Sequence, residues 1–152
     1  MSIIIKNQKK IKIMNYSTYD INNFFIKKDS TLPELEYPLV QQVMEMYNIT
    51  EDMLENVAVT FSMIDAQTGL YRIANAPASL VIRNDRPAFP ADEKYTFTYR
   101  FKLKDTRRSG RFLGEFKIDF LGEQVGCGKI TLPVNSQINI LISDSITKTT
   151  VI

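Results

Sequence analysis

Two strand-length runs between Lys94 and Phe120 alternate in steps of two residues, and no other feature of the chain narrows its fold so far. In the first run Tyr95, Phe97, Tyr99, Phe101 and Leu103 share one face, while Lys94, Thr96, Thr98, Arg100, Lys102 and Lys104 share the other. In the second, Phe112, Phe116, Ile118 and Phe120 alternate with Arg111, Leu113, Glu115, Lys117 and Asp119. Successive side chains point to opposite faces only in a β-strand, so each run predicts a strand with one aromatic face buried. A loop from Asp105 to Gly110 joins the two. The expectation is a mainly β sandwich or barrel.

Weaker versions of the same pattern recur. Leu35, Tyr37 and Leu39 alternate with Glu34, Glu36 and Pro38. With Pro33 and Pro38 in or beside this strand an edge position is expected, because proline cannot donate to a ladder. Leu39, Val43, Met44, Met46 and Tyr47 then suit one or two helical turns, and Thr50 is placed to cap a further turn through Glu51 to Leu54. Val57, Val59, Phe61 and Met63 alternate with Ala58, Thr60, Ser62 and Ile64, and Asp65-Ala66-Gln67-Thr68-Gly69 supplies a reversing turn. Leu70 to Ile73 and Ala78 to Arg83 read as two strands separated by Asn75-Ala76-Pro77, and Asn84 to Asp92 reads as a loop. Gly122, Gly126 and Gly128 bracket a tight, uneven segment, and Ile138, Ile140 and Ile142 mark a last strand. About seven strands at this spacing suit a sandwich. The predicted core is Leu35, Val59, Phe61, Leu80, Ile82, Phe97, Tyr99, Phe101, Phe112, Phe116, Ile118, Ile138 and Ile140.

Three regions follow from composition: an extended N-terminal arm over residues 1–26, a sandwich over 27–144 and a C-terminal tail over 145–152. The arm carries Lys6, Lys9, Lys10 and Lys12 with no acid before Asp20. An arm rich in isoleucine and tyrosine exposes apolar surface unless it touches a neighbour. At 152 residues the chain is long enough for a single core without a staple. No run approaches the ~18 apolar residues of a membrane span, and Ile3-Ile4-Ile5 is too short for a signal-peptide core. Folding in cytoplasm, without membrane partners, is therefore expected.

Candidate chemistry is sparse. The chain has no histidine, which removes the commonest general base and metal ligand, and Cys127 is its only cysteine. No catalytic group, cofactor or metal is expected. Gly122 to Ile130 fails as a phosphate loop, since Glu123 stands where glycine is needed and Ile130 where Ser or Thr must meet magnesium. Glu34 and Glu36 share one strand face, as do Glu115, Lys117 and Asp119. Such pairs serve glycoside hydrolysis when they converge, but alternating charge on a solvated sheet face accounts for them. Arg107, Arg108 and Arg111 form the densest basic cluster. The aromatics beside them fall on the core face, and net charge is only +2, so nucleic acid is not expected and an acidic protein partner or a salt-bridged loop is.

The order of three motifs resembles a known family. Lys28-Asp29-Ser30-Thr31-Leu32-Pro33-Glu34-Leu35-Glu36-Tyr37-Pro38-Leu39, then Val57 to Met63, then Asp105-Thr106 through Gly110-Arg111-Phe112-Leu113-Gly114-Glu115-Phe116 is similar to the N-terminal immunoglobulin-like module of tailed-phage baseplate upper proteins and related fibre or head-fibre anchoring proteins. The resemblance spans about Lys27 to Ser143. It departs from the family in the longer connection from Leu39 to Glu55, and no large receptor-binding domain is expected after Ile152. What the resemblance implies is an immunoglobulin-like antiparallel sandwich and a non-enzymatic virion role, on the capsid or at the tail. Partners would be other virion proteins, in a homo-oligomer or multi-copy assembly. Docking is expected from Ile3, Ile4, Ile5, Lys9, Lys10, Ile11 and Ile13 on the arm and from Arg107, Arg108 and Arg111. The alternative is a carbohydrate-binding module for a host-surface glycan, which requires Tyr47, Tyr71 or Phe89 to form an exposed platform.

Overall fold

Alternation drives the body of the protein into strands, as the sequence predicts. A computed structural model describes residues 23–85, 94–122 and 128–146. The strands are β1 (Asn23–Lys27), β2 (Leu35–Pro38), β3 (Val57–Asp65), β4 (Tyr71–Ile82), β5 (Tyr95–Tyr99), β6 (Gly110–Phe120), β7 (Gly128–Leu132) and β8 (Ile138–Ser143). One short helix, α1 (Gln41–Met46), and 3-10 turns at Asp52–Glu55 and Leu103–Thr106 decorate the connections. The fold is mainly β with few helices, as expected.

The strands join in one hydrogen-bonded path, β1-β8-β6-β3-β4-β5-β2, with β7 paired to β6 off the path. The sheet folds over into a near-barrel. The turning point is β4, whose first part pairs with β3 through Ala78 and whose second part pairs with β5 from Ser79. All pairings are antiparallel except that of β1 with β8. β2 is an edge strand, as its prolines predict.

The core is aromatic at its centre. Phe61 stacks on Tyr99 at 4.7 Å between ring centroids and lies 5.0 Å from Phe116 and 6.0 Å from Phe101. Gly114 makes room for this cluster: a Cβ there would come within 2.7 Å of Phe61 and 2.8 Å of Ile140. Eleven of the thirteen predicted core residues are buried, Leu80 packs partly against the core, and Ile82 is 39% exposed. Ile82 lies at the end of β4, after the strand has left β3, which explains its exposure.

Several expectations are corrected. The split at Asn75-Ala76-Pro77 is instead a bulge inside one twelve-residue strand. Asn75 adopts φ +51°, and Ser62 Oγ accepts its amide at 2.9 Å, so a side chain supplies the partner that the irregular ladder lacks. β5 ends at Tyr99, and Leu103, placed by alternation on the buried face, is 55% exposed because the chain has already turned into a 3-10 helix. Thr96 and Thr98, read as solvated, are buried. Arg83 lies across Thr96, donating to its Oγ1 at 2.7 Å, and pairs with Glu36 at 3.2 Å, so a long side chain covers the outer face. Met46 and Tyr47 are exposed, leaving Met44 as the buried residue of α1. Thr50 does not cap the following turn; Glu51 takes that position without a side-chain bond. Residues 23–26, assigned to the arm, belong to β1, with Ile26 buried and Phe24 stacked on Phe101 at 5.6 Å.

Candidate functional site

The loop between the two opening strands divides into a buried knot and an exposed basic end. Asp105 and Thr106 are both buried. Asp105 Oδ2 accepts from the Tyr99 hydroxyl at 2.7 Å and from the Lys102 amide at 2.8 Å. Thr106 Oγ1 donates to the Ser30 carbonyl at 2.8 Å, and its own carbonyl accepts from the Asp29 amide at 2.9 Å. Burial, and next the bond to Asp105, push the Tyr99 phenol well above its ordinary range. The knot ties the segment after β1 to the segment after β5, and this explains why Asp-Thr stands where it does.

Past the knot the chain surfaces. Arg107, Arg108 and Arg111 are exposed, and among the described residues none of them is held in an ion pair. Among the described residues, no salt bridge closes this loop. Strand register brings Arg111 beside apolar residues that the sequence does not single out. Arg111 lies opposite Leu141 on β8, and Leu141 lies opposite Phe25 on β1. All three point outward, because their neighbours Phe112, Ile140 and Ile26 point into the core. Phe25 is 65% exposed and Leu141 38%. With Asn23 and Asn139 they line a shallow depression of about 230 Å³. The row-to-row register extends the apolar surface from Leu113 to Ile64 and on to Tyr71 at the start of β4.

A second cleft, of about 350 Å³, opens where β4 parts from β3. It is lined by Leu54, Val57, Val59, Ala78, Leu80 and Ile82, with Glu55 and Ser79. Six of its eight lining residues are aliphatic, and its one carboxylate, Glu55, faces no second acid on the lining.

The other predicted groups are dispersed. Glu36 pairs with Arg83, and Glu34 lies 3.9 Å from Arg100, so each carboxylate is drawn to its own cation. Tyr47 and Tyr71 are both exposed but form no ring pair with each other. Among the described residues no group of three or more His, Cys, Asp or Glu side chains is placed to hold a metal ion, and no helix is long and apolar enough to cross a membrane. Ile3, Ile4, Ile5, Lys9, Lys10, Ile11, Ile13, Phe89 and Cys127 lie outside the described residues.

Comparison with protein-family models, with curated proteins and with solved structures returned no match. The phage resemblance therefore rests on the motifs quoted above.

Proposed function

We propose that this chain is a non-enzymatic structural component of a tailed-phage particle, a docking module of the capsid or tail that works by protein–protein contact. One observation carries the docking part: a row of Phe25, Leu141 and Arg111 stands exposed on a sheet whose opposite face is packed around buried aromatics. Exposed aromatic and arginine side chains together are the groups that contribute most to protein interfaces. The particle part is supported by motif order. Asp105-Thr106 and Gly114-Glu115-Phe116, its most specific elements, occupy positions with demanding local packing.

The test is membership. Purified particles from a host producing the phage should retain the protein at fixed stoichiometry through a density gradient and a high-salt wash, as measured by quantitative mass spectrometry. Loss of the protein from the particle fraction would overturn the reading.

A further inference from the structure

The outer surface of β1, β8 and the start of β6 differs in charge from the mixed surface beyond it. Register lays it out in rows: Asn23, Asn139 and Leu113; then Phe25, Leu141 and Arg111; then Lys27 and Ser143. These rows hold cations and no acid, and Arg107 and Arg108 on the adjoining loop add to the same sign. Asp29 and Asp144 flank the last row, just beyond the ends of β1 and β8, where Lys27, Arg107 and Arg108 outnumber them; the other acids nearby are committed elsewhere or lie past the boundary. Asp65 on β3 accepts from the turn amides of Gln67 and Thr68 at 2.8 and 3.0 Å. Asp119 lies 3.8 Å from Lys129, and Glu115 follows Leu113 at the next outward position of β6.

We infer that this face takes a segment of another protein in which a carboxylate stands beside an aliphatic or aromatic side chain. The apolar group seats against Phe25 and Leu141, and the carboxylate meets the guanidinium of Arg111. This rests on the docking reading above and adds the face and the partner's chemistry. The guanidinium of Arg111, held in no ion pair among the described residues, is a planar, multi-donor group that suits carboxylate, and the apolar surface next to it supplies the area that a lone ion pair lacks. The arm of a second copy has the wrong sign. Its first twelve residues carry Lys6, Lys9, Lys10 and Lys12 and no acid.

The experiment uses the full chain and two fluorescein-labelled peptides with identical leucine and phenylalanine positions, one with aspartates between them and one with lysines. Fluorescence anisotropy should show the aspartate peptide binding at least about tenfold more tightly, with the advantage shrinking as salt rises. Arg111→Glu should abolish or invert the preference, and Phe25→Ser should weaken the aspartate peptide by about tenfold. Both positions are exposed, and unchanged thermal melting by circular dichroism confirms that the variants fold. Equal binding of the two peptides, binding of neither, or a preference that survives Arg111→Glu overturns the inference. Failure of the particle reading looks different: the protein is then missing from particles whatever the peptides do. If both variants enter particles as efficiently as the parent, the face is wrong while membership stands.

Discussion

Asp105 shows how much one side chain can fix. It is buried, and its Oδ2 holds both the hydroxyl of Tyr99 and the amide of Lys102. Removing the carboxylate leaves the buried Tyr99 hydroxyl and the partly buried Lys102 amide without an acceptor, so Asp105→Ala should lower unfolding free energy by about 2–4 kcal/mol in urea titrations, and Asp105→Asn by less. Equal losses would mean that the bonds contribute little. Gly114 sets the opposite constraint. Gly114→Ala brings a methyl into Phe61 and Ile140, and overpacking of this kind costs about 1–3 kcal/mol; an unchanged urea midpoint would show that the ring cluster can shift aside. Neither role is legible from residue type, because alternation assigns a face and says nothing of what lies across it. The same limit hides the row proposed for docking. Arg111 stands out in sequence as a basic residue, but Leu141 reaches it only through the pairing of β6 with β8, and Phe25 only through a pairing between segments more than a hundred residues apart.

At the scale of elements, β3, β6 and β8 are readable because one face is consistently apolar. β1 is not. Phe24-Phe25-Ile26 is an unbroken apolar run with no period, so only its pairing with β8 shows that Phe24 and Ile26 turn inward and Phe25 outward. β4 misleads for a different reason: Asn75 and Pro77 are turn residues by composition, yet the strand runs through them by way of a bulge stapled by Ser62. β7 follows a glycine-rich stretch and carries only a weak alternation over Gly128 to Leu132. Truncation separates β1 from the residues before it. Removing residues 1–22 leaves the strand whole, whereas removing 1–27 also takes away Ile26 and the Phe24–Phe101 stack. The longer deletion should be the less stable by about 2–5 kcal/mol in urea, judged from the loss of large buried side chains. Equal stability would show that β1 is a passive addition to the sheet.

For the molecule as a whole, the aromatic interior predicts a particular response to alkali. Burial raises Tyr37 from the ordinary 10.0 to about 12. Tyr95 is likewise raised to about 12, first by burial and then by its bond to Glu51, and Tyr99 goes higher still. Each keeps its proton in the folded state after the unfolded chain has lost it. Their contribution is therefore complete below pH 10 and is lost as pH climbs from about 10 toward 12. The urea midpoint should fall steadily over that window, and ionisation of the buried tyrosines, followed by absorbance near 295 nm, should coincide with loss of the β circular-dichroism signal. Ionisation of these tyrosines at pH 10–11 with the sheet intact would contradict the picture of a closed core.

The row proposed for docking lies on the outer face of this closed body, with Phe25 65% exposed. A photo-reactive phenylalanine analogue in place of Phe25, carried into assembled particles and irradiated, tests this most directly. The account predicts a defined cross-link from position 25 to another particle protein, and none from position 82 beside the β3–β4 cleft. Cross-links from position 82 alone, or from neither site in particles that contain the protein, would contradict it.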